Sequence, residues 1–143
     1  MINLKYIEQL KKELRYDECY DYLMSFIEKE NPEAYYIYAT WCDKGEVVDP
    51  DMEESIKYYK LAANQGHELA LKRLAEYFYE LGNYCIQYAM EHIEKDTLED
   101  KNIALRLFKG AKTKYSLAMK YGHLDACDKY FEVFDLLDKY NVR

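Results

Sequence analysis

The sequence predicts an all-α chain of about seven helices, and three observations carry that prediction. Only two prolines and five glycines punctuate its 143 residues, and leucine, lysine, glutamate and tyrosine fill the long intervals between them. Apolar residues return every three or four positions along nearly the whole chain, and no stretch alternates with a period of two for long enough to be a strand. A thirteen-residue stretch also nearly occurs twice. YYKLAANQGHELA (Tyr58 to Ala70) and KYSLAMKYGHLDA (Lys114 to Ala126) share Tyr59/Tyr115, Leu61/Leu117, Ala62/Ala118, Gly66/Gly122, His67/His123 and Ala70/Ala126, at an offset of 56.

The first helix covers about 3–15, with Ile2, Tyr6, Ile7, Leu10 and Leu14 on its apolar side. Asp17 is the expected N-cap of a second helix whose apolar face is Tyr20, Leu23, Met24 and Ile27. Asn31-Pro32-Glu33 marks a sharp boundary. Asn31 can cap, Pro32 suits a first turn where its missing N–H has no intrahelical partner, and Glu33 meets the positive end of the dipole. The third helix, about 32–44, buries Ala34, Ile37, Tyr38, Trp41 and Cys42 and stops at Gly45.

Asp51, with Glu54 three residues later, opens a fourth helix that runs to about Gln65. Gly66 then supplies the left-handed residue that ends it. From His67 the apolar positions Leu74, Phe78, Leu81, Cys85, Ala89 and Ile93 predict one long helix over about 67–95, with Gly82-Asn83 the place for a bend. Asp96-Thr97 begins the return, and Ala104, Leu107, Phe108, Ala111, Tyr115, Ala118 and Met119 continue it to Gly122. The last helix, about 123–139, is expected to bury Leu124, Cys127, Phe131, Phe134 and Leu137.

Half the residues are hydrophobic and a third are charged, a globular balance, and the length suits a single domain over 1–143 with a real core. The formal charge of −7 opposes a nucleic-acid backbone or an anionic membrane as partner and favours a protein or peptide carrying basic residues. Cys19, Cys42, Cys85 and Cys127 are far apart with no C-x-x-C pair, which reads as buried, reduced thiols of a cytoplasmic protein. The N-terminus has no continuous apolar run of a secretory signal, and no stretch of about 18 apolar residues could span a membrane.

Ala34, Tyr38, Ala39, Cys42, Gly45, Val48, Asp51, Ser55, Tyr59, Ala62, Ala63, Gly66 and His67 together resemble the Sel-one-like repeat, a relative of the tetratricopeptide repeat. The end of the pattern, Asp51 to Gly66, is almost intact. Earlier, Tyr38 stands for a leucine, Ala39 for a glycine, Cys42 for a tyrosine and Ser55 for an alanine. The resemblance implies a short right-handed α-solenoid of antiparallel helix hairpins. Small residues such as Ala39, Ala62 and Ala63 let two helices approach closely, and Tyr38, Trp41 and Tyr59 fill the space around them. Residues 3–30 form a degenerate repeat or an N-terminal cap, 32–66 the clear repeat, 67–122 a second with both helices lengthened, and 123–139 a C-terminal helix. Such units run to about 36–44 residues, so the long offset predicts a helical hairpin with its tip near Lys95–Leu98, projecting by roughly 10–15 Å.

Motifs for chemistry are absent. No glycine-rich phosphate loop occurs. DPDMEE is superficially similar to a calcium loop but lacks the central glycine and final glutamate, so Asp51 is read as a helix cap. His123 and Cys127 lie four apart, yet Leu71 stands at the place matching Cys127 after His67, so no metal site is expected. His67 and His123 are expected to make ordinary contacts at the joint, and His92, between Glu91 and Glu94, to be solvated. Neither catalysis nor a cofactor is expected.

The resemblance implies a protein–protein interaction scaffold or adaptor. The first helix of each hairpin would line a concave, acidic and tyrosine-containing face: Glu33, Tyr36, Thr40 and Asp43, then Lys72, Glu76 and Tyr79, then Asp125, Asp128, Glu132 and Asp135. Two other readings fit the size and acidity: a small immunity or antitoxin-like protein that masks a toxin, and a structural homo-oligomer.

Overall fold

The computed structural model describes residues 1–141. Among them are seven helices and no strand: α1 Leu4–Lys12, α2 Tyr16–Ile27, α3 Pro32–Lys44, α4 Met52–Asn64, α5 Glu68–Glu94, α6 Leu98–Lys120 and α7 Ala126–Tyr140. The chain divides into two compact units, Met1–Leu71 and Lys72–Arg143.

In the first unit, α1, α2 and α3 enclose Ile7, Leu10, Cys19, Leu23, Ala34, Ile37 and Trp41, all buried. Asn3 caps α1 by accepting the Tyr6 N–H at 3.1 Å. Four expectations fail here, at Tyr6 (38% exposed), Leu14, Asp17 and Tyr20. Leu14 is 70% exposed, because α1 ends at Lys12 and Leu14 takes a left-handed φ of 58° in the turn. Asp17 does not cap α2: the helix begins one residue earlier, at Tyr16, which places Asp17 inside the first turn. Cys19 and Leu23 face the core, and Tyr20, expected on the apolar face, lies outside it, edge-on to Tyr38 at 6.4 Å.

The α3–α4 hairpin follows the expected pattern closely. Asn31 Oδ1 accepts the Ala34 N–H at 3.1 Å, Pro32 opens the helix, and Gly45 ends it at φ 72°. Asp51 Oδ1 accepts the Glu54 N–H at 3.1 Å. Ala39, Ala62 and Ala63, the small residues expected where the two helices approach, are all buried. Ser55, which replaces the repeat's alanine, is fully buried, and its Oγ donates to the Ala39 carbonyl at 2.8 Å. The hydroxyl is thus satisfied where an orphaned one would cost about 1–3 kcal/mol. Gly66 leaves α4 at φ 81°, and the His67 N–H returns to the Ala62 carbonyl at 3.1 Å.

In the second unit α5 and α6, of 27 and 23 residues, are each about twice as long as α3 and α4, of 13 each. α5 runs unbroken through Gly82-Asn83. The turn between the long helices falls at residues 95–97, where Asp96 has φ 53° and Thr97 caps α6. Ala89, Ala104, Phe108, Ala111, Tyr115 and Val133 form the core of this unit.

The last helix departs from expectation. Leu124 is 93% exposed, Phe131 59% and Phe134 39%, and Cys127 and Met119 are exposed as well. Helix α7 begins at Ala126 rather than at 123, so Leu124 lies in the preceding turn. The side that faces the core is Ala126 and Val133, flanked by Tyr130, Leu136, Leu137 and Tyr140. Positions 124, 127, 131 and 134 and positions 126, 130, 133 and 137 both have helical spacing, their centres about 110° apart around the axis. Periodicity alone offers no choice between two such stripes.

Candidate binding faces

The outward side of α3 is organised around one histidine. Glu33 and Tyr36 project from the first turn and a half of α3, and His67 arrives at the end of the same unit, after Gly66 turns the chain. The imidazole has three partners. Its Nδ1 accepts the Ala70 N–H at 3.3 Å and so caps the start of α5. With Nδ1 an acceptor, the proton sits on Nε2, which donates to Glu33 Oε2 at 2.7 Å. The ring stacks on Tyr36 with centroids 4.6 Å apart and planes 23° from parallel. Tyr36 in turn packs against Tyr59 at 5.8 Å, and the Tyr59 hydroxyl donates to Asp43 Oδ2 at 3.0 Å.

Of the residues expected on this face, Glu33, Tyr36, Thr40 and Asp43 are therefore all half-buried on one helix. Three are tied to the hairpin by His67 or Tyr59. Thr40 donates to the Ile37 carbonyl of its own helix at 2.7 Å. Glu33 keeps 45% of its side chain exposed and is the part of the cluster a ligand could reach.

The second unit repeats the arrangement with other residues. Tyr79 stacks on His123 at 3.9 Å and 17°, and Tyr79 packs against Tyr115 at 5.8 Å. His123 Nδ1 accepts the Asp125 N–H at 3.2 Å. Tyr115 donates its hydroxyl to Asn83 Oδ1 at 2.6 Å. Burial, with Tyr79 and Glu132 nearby, pushes the Tyr115 hydroxyl up to about 12, so it stays protonated as a donor. Asn83, Ile86, Tyr115, Lys129, Glu132, Val133 and Leu136 line a cavity of about 90 Å³.

Glu132 thus stands at the rim of that cavity, paired with Lys129 at 3.4 Å. Lys72 and Glu76 are exposed on α5, and Asp128 and Asp135 are exposed on α7. Asp125, the residue before α7, is exposed and makes no side-chain cap. The residues that sequence reasoning left off the face are Tyr59, His67, Asn83, Tyr115 and His123. Four of these five stand in the recurring stretch. The signal was present, but local spacing does not show that each histidine reaches back to a tyrosine on an earlier helix.

His92 is another correction. Its Nδ1 lies 2.8 Å from Asp100 Oδ1, so it joins the two ends of the α5–α6 turn instead of standing in solvent. The Thr97 hydroxyl donates to Asp100 Oδ2 at 2.6 Å and accepts the Asp100 N–H at 3.0 Å, a reciprocal cap. Cys127 is exposed and Cys85 half-buried, whereas Cys19 and Cys42 are buried, so the four thiols are not alike.

Among the described residues no cluster of three or more His, Cys, Asp or Glu side chains could hold a metal ion, and no helix is long and apolar enough to cross a membrane. Comparison with curated proteins and with solved structures returns no significant match. The family model described as Sel1 repeat matches residues 32–67 and again 69–114. The first match covers the α3–α4 hairpin and its closing histidine; the second covers α5 and most of α6. The chain belongs to the Sel1-repeat family, whose helical repeats of the α-solenoid class mediate protein–protein interaction.

Proposed function

We propose that this protein is a non-catalytic adaptor that binds a peptide or protein segment carrying Lys or Arg on the acidic, tyrosine-bearing faces of its repeats. The observation that supports this most is the recurrence of one fixed arrangement in both units: a histidine stacked on a face tyrosine, with a second tyrosine beneath. A side chain held on several sides loses little rotamer entropy when a partner docks, and preorganisation of this kind raises affinity. Beside these rings stand Glu33 in the first unit, its side chain 45% exposed, and Glu132 in the second, with Asp128 exposed one turn before Glu132 on α7. Opposite charge at an interface speeds encounter and fixes orientation.

Selection of a random displayed peptide library on the intact protein tests the reading. Peptides rich in Lys or Arg should be enriched. Asp128→Lys with Glu132→Lys, and separately Glu33→Lys, should weaken them by about tenfold, on the order of 1.4 kcal/mol. Added salt should slow their association. Enrichment of neutral or acidic peptides that ignore all three substitutions would refute it.

A further inference from the structure

Helix α7 carries a face that the other repeats cover. In each repeat a fully buried alanine stands three positions after a corresponding residue: Asn31 and Ala34, His67 and Ala70, His123 and Ala126, the first two being caps of their helices. Counting from that residue, three before the buried alanine, puts α3 and α7 in a common register. In α3 the positions four, eight and eleven after Asn31 are Tyr35, Ala39 and Cys42, and all three are buried. The second half of the hairpin covers them. Tyr58 packs on Tyr35 at 5.8 Å, Ser55 bonds the Ala39 carbonyl at 2.8 Å, and the Asp51 N–H bonds the Cys42 carbonyl at 2.9 Å. In α5 the eleventh position is Phe78, stacked on Tyr121 from the end of α6 at 5.9 Å.

In α7 the same three positions are Cys127, Phe131 and Phe134. All are exposed, and Phe131 and Phe134 lie 6.2 Å apart. The eighth position is alanine in α3 and in α5 (Ala75) but phenylalanine in α7, so this surface is not shaped for the close helix contact made inside a repeat. Its two rings offer large apolar area to a helix at a wider spacing.

Charge indicates whose helix that is. From 101 to 120, α6 carries Lys101, Arg106, Lys109, Lys112, Lys114 and Lys120 and no acidic residue. From 124 to 139, the chain carries Asp125, Asp128, Glu132, Asp135 and Asp138 against Lys129 and Lys139. The basic helix borders the aromatic pair directly, with Lys112 Nζ 5.1 Å from the Phe134 ring centre. A basic partner helix laid on the rings would be repelled by Lys112. An acidic one would be attracted, and this chain contains an acidic, aromatic helix of the right kind.

We infer that α7 of a second copy covers the Phe131–Phe134 face, the two α7 helices packing against each other across a two-fold axis. Such an interface is self-complementary: the same aromatic pair and the same basic-to-acidic facing occur on both sides. Glu132 lies about 100° around α7 from Phe131 and Asp128 borders both sides, so the phenylalanine pair tests this interface separately from the peptide-binding proposal.

Sedimentation equilibrium of the whole chain, from micromolar to submillimolar concentration, is the test. The mass should rise toward twice the 17.2 kDa of one chain. Phe131→Glu with Phe134→Glu should raise the dissociation constant at least about tenfold. Both side chains are exposed, so the melting curve followed by circular dichroism should remain that of a folded helical protein. Lys109→Glu with Lys112→Glu should also weaken the dimer. A strictly monomeric mass throughout, a dimer that ignores the phenylalanine pair, or one strengthened by the lysine reversal would each overturn the inference.

Discussion

Gly82 has no turn to make, since it sits inside a continuous helix, so its lack of a side chain must serve packing. A Cβ built there would lie 2.5 Å from Tyr115 Cε1 and 2.7 Å from Cδ1, well inside contact distance. The ring cannot step aside easily: Tyr115 is 1% exposed, and its hydroxyl is held by Asn83. Gly110, on the facing helix, is different, because its Cβ would meet only Cys85 Sγ at 3.8 Å. The two glycine-to-alanine changes should therefore have opposite signs. Gly82→Ala should cost roughly 1–3 kcal/mol through overpacking, more than the helix propensity it gains. Gly110→Ala should stabilise by up to about 1 kcal/mol. Urea unfolding of the two variants measures both, and a shared sign would contradict this account.

Helix boundaries were the most legible part of the sequence, because they are set by local chemistry. Asn31, Gly45, Asp51, Gly66 and Thr97 act within three or four residues of themselves, and all stand at helix ends in the structure. Faces were less legible. On α7 two stripes of equal spacing compete, and only the packing of α6 decides between them. The histidines of the joint were visible as a recurrence, but their stacking on Tyr36 and Tyr79 depends on contacts 31 and 44 residues away in sequence.

The turn of the long hairpin illustrates the same division: Thr97 as a cap is local, and the His92–Asp100 bond across it is not. Bonds from Thr97 and then His92 hold the Asp100 carboxyl below the usual carboxylate range. A carboxylate whose folded pKa is depressed stabilises the fold above its unfolded value of about 3.9, and that stabilisation disappears as pH falls through the lower, folded value. Asp100→Ala should thus lower the melting temperature at about pH 7, and the gap from wild type should close as pH drops below about 3.9. A gap that stays constant down to acid would show that the carboxylate's charge is not involved.

Over the whole molecule, the thiols report burial in both units at once. Cys19 is 0% and Cys42 2% exposed, and burial raises both thiols. Cys85 is half-buried and also raised by burial, whereas Cys127 is exposed. Thiolate availability and access together control reactivity. In dilute native protein a thiol reagent should modify Cys127 first, Cys85 more slowly, and Cys19 and Cys42 only on unfolding. Peptide mapping after a short exposure identifies the order, and early labelling of Cys19 would argue against the packing of α1 on α2.

The contact between Gly82 and Tyr115 also has a mechanical meaning. Two antiparallel helices of 27 and 23 residues joined by a short turn could in principle slide past each other by a turn, about 5.4 Å, and still bury similar side chains. Gly82 is the one glycine of α5, and the Tyr115 ring of α6 fills the space its missing side chain leaves. A ring seated in that notch and tied to Asn83 opposes such a shift, so the contact acts as a detent between the two helices.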